Sequence, residues 1–433
     1  MKFLCDILQV VKFIADLHIH SHYSRATSKD MTPENLWFWA QIKGIKVIGT
    51  GDFTHPLWLK ELREKLEKSS NGLFTLKEEY RNKNVPERVR DEVYFLISGE
   101  VSTIYKKNGR MRKIHTLIFV PSMEDAIKIQ AQLSKIGNIQ ADGRPIFGID
   151  VKDLMKIVLD ISPSSLIVPA HAWTPHFSVF GSESGFDSLE ECFEEFSEFI
   201  FSIETGLSSD PPMNWRVSRL DKITLISNSD AHSPQKIGRE ANIFDVEISY
   251  SSIVNAIKTK RGFLGTIEFF PEEGKYHFDG HRSCSVVLSP KETIKNNYLC
   301  PKCGQKVTVG VMHRVEKLAD RKDGEKPKDT PSYFSIIPLM EIIAEAYGTS
   351  VQTTKVETEY MNLITSVGNE FYILMEADLE KIGRSSSHII KEGISRMREG
   401  KIKIVPGFDG VYGSIILFNE SERAIQKGQQ SLF

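Results

Sequence analysis

The stretch DLHIHSHYS, residues 16–24, follows an apolar run that begins at Lys12, and it places three histidines at every second position. Successive side chains of a β-strand point to opposite faces, so His18, His20 and His22 share one face if the stretch is extended. Neutral imidazole is a common ligand of zinc and other transition metals. The stretch therefore predicts a buried strand whose carboxyl end presents imidazoles to a metal ion.

Seven short apolar runs of this kind recur in the first 270 residues, and helical patterns separate most of them. The runs are KFIADLH (12–18), KVIGTGD (46–52), VYFLISGE (93–100), IHTLIFV (114–120), SLIVPAH (165–171), FIFSIET (199–205) and ITLISNSD (223–230). Alternation of buried strands and helices predicts a parallel sheet or barrel. Between the third and fourth runs, Asn108-Gly109 predicts a tight hairpin turn.

Nearly every run ends in residues that can bind a metal, and in barrels such strand ends converge on one rim. These residues are His18, His20, Asp52, Glu100, His171, Glu204, Asp230 and His232. Asp230 and His232 repeat the spacing of His18 and His20, Glu100 is suited to bridge two ions, and His115 with His171 completes a second site. Asp52 and His55 offer a third position. Mixed histidine and carboxylate ligation suits metal-assisted hydrolysis of phosphate esters.

Two residues near this rim keep open roles. His22 points the same way as the other two histidines, but in a rim loop it contacts substrate or solvent. Glu204 is either a ligand or a residue that orients a ligand. A lone histidine is more often structural than ligating, so the argument for a multinuclear site rests on the whole set.

The motifs DLHIHSHYS, GTGDFTH, SGEV, PAHAW and SNSDAH, in this order, resemble the PHP (polymerase and histidinol phosphatase) superfamily over about residues 12–270. The resemblance implies an α/β fold, a distorted seven-stranded (β/α) barrel with a trinuclear metal centre. By the resemblance, the first metal takes His18, His20, Glu100 and Asp230, and the second takes Glu100, His115 and His171. The third takes His232 with Asp52 and His55. GDFTH departs from the family pattern, because Phe53 stands where a histidine usually follows the aspartate.

A second metal site is predicted after residue 270, where the cysteines cluster. CPKCG, with Cys300 and Cys303, is typical of a zinc knuckle, and HRSC offers His281 and Cys284 at the same spacing. We expect one structural zinc on these four residues, with His277 as an alternative fourth ligand. A redox CxxC pair is the competing interpretation, and it lacks a thioredoxin-like context.

The remaining sequence offers features suited to nucleic acid. Cations cluster after the knuckle, and phosphate contacts use such groups; they are His313, Arg314, Lys317, Arg321, Lys322, Lys391, Arg396 and Arg398. Trp215 and Arg216, in a loop after the Glu204 run, are candidates for stacking on a base and holding a phosphate. The final QQSLF resembles the start of a sliding-clamp-binding peptide, with Gln429, Leu432 and Phe433 matching.

Composition limits the remaining possibilities. The 433 residues are 40% hydrophobic and 26% charged, as in an ordinary soluble globular protein, and the net charge is −2. A nucleic-acid partner therefore needs local basic patches. No apolar run is long enough to span a membrane, and the N-terminus lacks a signal-peptide pattern. Five cysteines with one tight pair favour a reducing compartment, so we expect a cytoplasmic protein with no membrane partner.

The whole-chain arrangement looks like the endonuclease Q family of DNA-repair nucleases. We expect a PHP phosphoesterase region over 1–270, a small zinc-ribbon-like region over 271–312, a mainly helical DNA-binding region over 313–425 and a clamp-binding-like tail over 426–433. The resemblance implies cleavage 5′ of deaminated bases (uracil, hypoxanthine, xanthine) and of abasic sites. Glu100, Asp230 and His232 would be catalytic, with two or three divalent ions (Zn, Mg or Mn).

Two alternatives stay open. One is a PHP-type phosphatase that acts on a small phosphate ester, against which the zinc knuckle and the tail argue. The other is a non-catalytic, clamp-associated scaffold, against which the nearly complete ligand set argues.

Overall fold

The computed structural model describes residues 12–419 and residue 422, and these form a mixed α/β fold. The strands are β1 (Lys12–Asp16), β2 (Val47–Gly49), β3 (Leu66–Lys68), β4 (Phe74–Leu76), β5 (Tyr94–Lys107), β6 (Arg110–Val120), β7 (Ile146–Phe147), β8 (Leu166–Pro169), β9 (Ser202–Glu204), β10 (Thr224–Ile226), β11 (Ala241–Asp245), β12 (Phe263–Glu268), β13 (Asp279–His281), β14 (Val286–Leu288), β15 (Ser332–Ser335), β16 (Lys403–Val405) and β17 (Ser414–Ile416). The α-helices are α1 (Pro33–Lys43), α2 (Pro56–Lys65), α3 (Met123–Leu133), α4 (Val151–Ile161), α5 (Leu189–Phe193), α6 (Pro211–Trp215), α7 (Tyr250–Thr259), α8 (Pro290–Lys295), α9 (Val311–Leu318), α10 (Leu339–Tyr347), α11 (Thr354–Ser366), α12 (Leu379–Ser385) and α13 (His388–Arg398).

Strand β1 lies inside an eleven-stranded sheet, which explains its continuous apolar sequence. It pairs in parallel with β2 and antiparallel with β11. On the far side of β2, the parallel strand β5 follows, and β6 and β8 extend the order antiparallel. The mixed α/β class predicted from the sequence is confirmed, although several ladders are antiparallel.

The hairpin predicted at Asn108-Gly109 is confirmed. Both residues have positive φ, +52° and +74°, as a type I′ turn requires, and they join β5 directly to β6. In the resulting register, Ser102 faces His115, so His115 lies on the same face of the hairpin as Glu100, two residues along. The turn therefore brings two of the predicted metal ligands together.

Strands β9 and β10 form a separate parallel pair, and both are shorter than the sequence predicts. Isolated backbone contacts connect this pair to its neighbours. The Ala172 amide, just after β8, donates to the Glu204 carbonyl (2.9 Å), and Ile19, just after β1, bridges to Ala231. These contacts place the carboxyl ends of β1, β8, β9 and β10 at one rim.

Helices α10 to α13 dominate residues 339–398, and their buried apolar side chains belong to the same hydrophobic cluster as those of residues 12–270; they include Leu339, Ile342, Leu363 and Ile390. This helical region contacts residues 12–270 at several places, which include the Lys236–Glu341 pair and the hydrogen bond from Arg88 to the Thr365 carbonyl. Strand β15 pairs in parallel with β12 at the edge of the large sheet, and the buried Lys43 amine lies 2.6 Å from Glu370. The boundaries predicted at residues 270 and 312 stay predictions.

In the part of the chain that the structure describes, no helix is long and apolar enough to cross a membrane. The predicted clamp-binding residues Gln429, Leu432 and Phe433 lie outside the described residues.

Candidate metal centre

The end of β1 is fastened to the loop that carries Asp230. The Asp16 carboxylate accepts hydrogen bonds from the amide and hydroxyl of Ser229 and from the amide of Gly238. The Ile19 bridge to Ala231 continues this contact along the chain. His18 and His20 are consequently held on the same side as Asp230, more than 200 residues away in sequence.

Four side chains form the first donor group: His18, His20, Glu100 and Asp230, with their ligand atoms within 4.8 Å of one another. Asp230 Oδ1 lies 3.6 Å from His18 Nε2 and 3.0 Å from His20 Nε2. Glu100 Oε2 lies 3.6 and 3.3 Å from the same two nitrogens. This set matches the ligands that the sequence analysis predicts for the first metal.

The second donor group contains Glu100, His115 and His171. Glu100 Oε1 lies 2.7 Å from His115 Nδ1 and 3.1 Å from His171 Nε2. The two oxygens of Glu100 therefore serve different groups, Oε2 the first and Oε1 the second. A carboxylate in this position is arranged to bridge two ions.

Unpartnered atoms in the first group fit a metal ion. Although they lie close to one another, His18 Nε2, His20 Nε2 and Asp230 Oδ1 are buried and none of them makes a hydrogen bond. Leaving such groups without partners costs free energy, so native proteins rarely do so without an ion, a water or a functional reason. Two imidazoles and two carboxylates with atoms converging on one point form a donor set that divalent metals accept.

Carboxylates behind the histidines fix the ring orientations. Glu204 lies 3.0 Å from His18 Nδ1 and also accepts from the His171 amide. Asp52 Oδ1 lies 3.0 Å from His20 Nδ1, while Asp52 Oδ2 accepts hydrogen bonds from Ser21. Each histidine therefore keeps its Nε2 lone pair directed at the centre, as is usual for metal-ligating histidines.

The third predicted ligand set is not gathered into one donor group among the described residues. The carboxylate oxygens of Asp52 contact His20 and Ser21. His55 caps α2 by accepting from the Trp58 amide, and its other nitrogen lies 3.3 Å from the Gln140 carbonyl. The His232 ring stands 4.6 Å from that of His20, and its side chain is 33% exposed. A third ion on these residues stays a prediction.

The electrostatics of the centre favour ionised carboxylates. Burial alone raises the pKa of Asp230, but His18 and His20 outweigh it and bring the pKa below the usual range. For Glu100, burial is likewise outweighed, by His115 and Arg144, and the pKa is lowered. Burial lowers the pKa of His115 to about 4, so its imidazole is neutral at pH 7 and keeps a free lone pair.

Backbone strain is concentrated at this centre. Asp52, His171 and Asp230 have φ values of +46°, +30° and +46°, a left-handed region that non-glycine residues rarely occupy. Each of the three follows a strand closely and turns its side chain toward the rim. Such strain persists where the surrounding structure fixes a functional geometry.

Arg144 lies at the centre although it is not among the residues predicted from the sequence. Its Nη1 lies 2.9 Å from Glu100 Oε2, and its side chain is 29% exposed at the rim. Arg144 sits in the turn before β7, so it does not end a strand. A single arginine in a polar turn has no spacing that distinguishes it from a surface charge, and no sequence signal pointed to it.

The cysteine cluster forms a second, separate donor group of His281, Cys284, Cys300 and Cys303. The Cys303 sulfur lies 3.4 Å from His281 Nδ1. His277, the alternative fourth ligand, is buried outside this group, with its Nδ1 unpartnered. Three sulfurs and one nitrogen within 4.8 Å of one another fit a structural zinc.

Residues predicted to hold DNA are largely engaged elsewhere. Arg216 is 7% exposed, and its guanidinium lies 2.6 Å from Glu316. The Trp215 ring packs edge-on against Tyr333, 5.7 Å between centroids. A role for Trp215 and Arg216 in substrate binding stays a prediction. The structure shows Arg216 paired with Glu316 within the protein.

The chain is similar in sequence to one family model and to two curated proteins. A family model described as the MJ0043 C-terminal domain matches residues 338–401. The Methanocaldococcus jannaschii protein MJ0043 is 33% identical over 296 residues, 66% of this chain, and the alignment covers only 36% of MJ0043. The Bacillus subtilis protein YqxK is 30% identical over 417 residues, 93% of this chain and 99% of YqxK.

Two solved structures resemble the chain over nearly its whole length. One is the lesion-specific endonuclease PfuEndoQ of Pyrococcus furiosus, with a TM-score of 0.81 and 31% identity over 94% of this chain and 95% of that one. The other is endonuclease Q in complex with a 27-mer duplex that has an abasic lesion at the active site, with a TM-score of 0.80, 30% identity and coverage of 95% and 98%. At this identity and coverage, the chain belongs to the endonuclease Q family.

Proposed function

We propose that this protein is a DNA-repair endonuclease that hydrolyses the phosphodiester bond 5′ of deaminated bases and abasic sites. The deaminated bases are uracil, hypoxanthine and xanthine. The observation that carries the proposal is the pair of donor groups that share Glu100, with buried, unpartnered ligand atoms converging in one of them. The abasic duplex bound by the similar endonuclease Q supports damaged DNA as the substrate.

The residues of the centre have distinct proposed roles. His18, His20, Glu100 and Asp230 would hold one divalent ion, and Glu100, His115 and His171 another. When bound, such ions supply Lewis acidity and lower the pKa of a bound water. A third ion on His232 with Asp52 and His55 would require Asp52 to leave His20 and Ser21 and His55 to leave the Trp58 amide. Zinc, magnesium and manganese all suit the donors of the centre.

The chain's own groups position the substrate around these donors. Glu100 and Asp230 stay ionised and concentrate negative charge at the rim. Arg144 is the nearest cation, and a phosphodiester entering the rim would meet its partly exposed guanidinium. The bond to the 3′ oxygen breaks, which leaves a 3′-hydroxyl and a 5′-phosphate on the fragment that carries the lesion.

We further propose that β1, β2, β5, β6, β8, β9 and β10 make up the distorted seven-stranded barrel, supported by the ladders and isolated contacts between successive members. We also propose a structural zinc on His281, Cys284, Cys300 and Cys303. Binding of a sliding clamp through Gln429, Leu432 and Phe433 rests on the sequence motif alone.

The test uses end-labelled duplexes with one uracil, one hypoxanthine, one abasic site or no lesion, with Mg²⁺ or Mn²⁺ added. We expect a nick directly 5′ of each lesion and none in the undamaged duplex. Release of phosphate from small esters without a lesion-dependent nick would overturn the substrate class and favour a small-ester phosphatase.

The metal assignment is tested with two variants, His20→Ala and His22→Ala. Both replace a histidine of the same nine-residue stretch, DLHIHSHYS. His22 lies outside both donor groups, and its Nδ1 contacts the Met31 carbonyl. We expect His20→Ala to lose cleavage and barrel metal, measured by elemental analysis, while His22→Ala keeps both. Equal activity of the two variants would contradict the metal assignment.

A further inference from the structure

Two buried glutamates face each other across the ladder between β11 and β12. In this antiparallel ladder Ala241 pairs with Ile267, so Glu240, directly before β11, continues the register opposite Glu268. Both glutamates are 0% exposed. Residues that stand directly opposite in an antiparallel pair project from the same face. These two residues, here called the glutamate pair, therefore place two carboxyl groups side by side in the interior.

Several oxygens on this face of the ladder have no hydrogen-bond partner. They are both side-chain oxygens of Glu240, Oε1 of Glu268 and Oγ1 of Thr266. Thr266 is 2% exposed and stands two residues before Glu268 on β12, close enough to oppose part of the rise in pKa that burial causes in Glu268. Buried polar atoms without partners are rare in native proteins and indicate an ion, a water or a functional group between them.

The surroundings of the glutamate pair add negative charge and do not neutralise it. Burial raises the pKa of Glu240 well above its usual range, and Glu268 and Glu204 raise it further. Burial also raises the pKa of Glu268, to about 8, and Asp210 contributes to the rise. Arg239 is near, but its guanidinium donates to a backbone carbonyl oxygen instead. Without a bound cation, the two carboxyl groups therefore keep their protons at neutral pH.

The donor chemistry distinguishes this site from the metal centre and from the cysteine cluster. The unpartnered donors on this face are all oxygens, whereas zinc sites usually include imidazole nitrogen or thiolate sulfur. Magnesium and manganese prefer oxygen, and magnesium is commonly bound by one or two carboxylates together with water. Two carboxylates also match a charge of +2, whereas a monovalent ion would leave one negative charge buried. We propose that the glutamate pair and Thr266 bind a hard divalent cation of the magnesium class.

Hydrogen bonds connect this site to the ligands of the metal centre. Asn242 pairs with Thr266 in the ladder, and its amide donates to the side-chain oxygen of Asn228. The amide of Asn228 donates in turn to Glu204, whose carboxylate lies 3.0 Å from His18 Nδ1. A cation on the glutamate pair enters in exchange for protons and joins β11 to β12 at the point from which this chain of contacts begins. Its role is structural, and it does not depend on the substrate.

The first test locates the ion in crystals of the full chain grown with Mn²⁺, by anomalous diffraction. We expect a manganese peak between the two carboxyl groups in the wild type, separate from peaks on the barrel ligands. Glu240→Gln keeps the shape of the neutral carboxyl group, and it should lose this peak and retain those of the barrel. The control, Asp245→Asn, changes an exposed carboxylate at the other end of β11 and should keep every peak.

The second test measures the melting temperature in solution as Mg²⁺ is added. Per tenfold increase in Mg²⁺, the wild type and Asp245→Asn should gain about 1–3 °C more than Glu240→Gln, because an ion that binds only the folded chain stabilises it by mass action. Thr266→Val, which keeps both charges and removes one neutral donor, should respond only at higher Mg²⁺ concentrations.

A wild-type crystal with no manganese at the glutamate pair would overturn the proposal, whether or not the variants fold. A peak that persists in Glu240→Gln, or an equal Mg²⁺ response of the wild type and Glu240→Gln, would overturn it as well. Neither readout uses cleavage of DNA, so the outcome is independent of the proposed function.

Discussion

Asp52 shows how much the direction of one side chain matters at the residue scale. Its position at a strand end is typical of a ligand, yet both oxygens are used within the protein, one on His20 and the other on Ser21 and Ser24. With a metal bound at the first donor group, the charge of Asp52 would act on it through the imidazole of His20. A carboxylate so placed raises the basicity of the ligand and fixes its ring.

We therefore expect Asp52→Asn to lower the cleavage rate by about 10- to 100-fold, since outer carboxylates contribute effects of this size. The asparagine amide has the shape of the carboxylate, but its NH2 group can face His20 as a donor where the carboxylate oxygen was an acceptor. The tautomer of His20 is then no longer fixed. Single-turnover cleavage and metal titration measure the effect. Asp91→Asn, which changes an exposed surface carboxylate paired with Lys46, is the control, and an equal loss in both would contradict this role.

Glu268 provides a pH-dependent prediction away from the metal ligands. Burial raises the pKa of this carboxyl group to about 8, and hydrogen bonds from Thr205 and Ser227 only partly oppose the increase. In the unfolded chain the pKa returns to an ordinary glutamate value, so between about pH 4.5 and 8 the folded state holds a proton that the unfolded state releases. Its contribution to stability is therefore present at low pH and is lost as the pH rises through this window.

Glu268→Gln should remove this dependence, which amounts to at most about 1.4 kcal/mol per pH unit. Urea unfolding of both proteins at pH 6 and pH 8 measures it. The wild type should lose more unfolding free energy than the variant between the two pH values. Parallel losses would show that Glu268 is ionised in the folded state.

The identities of the donors were predictable from the sequence, because strand ends and i, i+2 spacing determine which residues can meet at a rim. Arg144 was not predictable, because its approach to Glu100 depends on a turn whose path only the folded chain defines. The sequence also could not show whether His55 is a metal ligand or a helix cap. Its role as a helix cap depends on where α2 begins.

At the element scale, the loop after β9 decides the position of His171. Gly206 has a φ of +61°, and a Cβ atom there would lie 2.5 Å from the Cβ of His171. No side chain fits without moving that ligand. The sequence predicted the strands of this region but made them too long, because their apolar runs continue into bends that no longer pair.

We expect Gly206→Ala to displace His171 and to lower cleavage by at least about tenfold, because small misplacements of catalytic groups cost rates of that order. Gly72→Ala is the control, since Gly72 also has a positive φ, +83°, but open space around the Cβ position. Both variants share the backbone strain, so only the first should lose activity beyond its loss of stability. Equal cleavage rates in the two variants would show that the loop yields without moving His171.

At the scale of the whole molecule, buried charge joins the helical region to the first region. Glu370 is 3% exposed, pairs with Lys43 of α1 and accepts hydrogen bonds from Tyr360 and the Leu339 amide. The sequence could not predict this junction, since neither residue belongs to a recognisable motif. The pairing of β15 with β12 at the edge of the sheet could not be predicted from the sequence either, because SYFS is short and follows a charged loop.

Glu370→Gln leaves Lys43 buried without its counter-charge, so we expect a loss of about 3–5 kcal/mol in unfolding free energy. Glu341→Gln is the control, because Glu341 and Lys236 also join the two regions but remain partly exposed, and such pairs contribute about 0.2–1 kcal/mol. Denaturant unfolding compares the two. Similar small losses would mean that the Lys43 amine finds another partner.

The location of β1 within the sheet has a consequence for biosynthesis. One edge of β1 pairs early with β2, but the other partners come late in the chain: the Leu17 amide donates to Asn228 across 211 residues, and the Asp16 carboxylate accepts from Ser229 across 213. At a synthesis rate of roughly 5–20 residues per second, the first strand waits on the order of 10 to 40 s for these partners to be made. During that interval its apolar residues and unpaired backbone have to be shielded from aggregation. The donors His18 and His20 meet Asp230 only at the end of this wait, so a nascent chain that stops before residue 230 carries no complete nuclease centre.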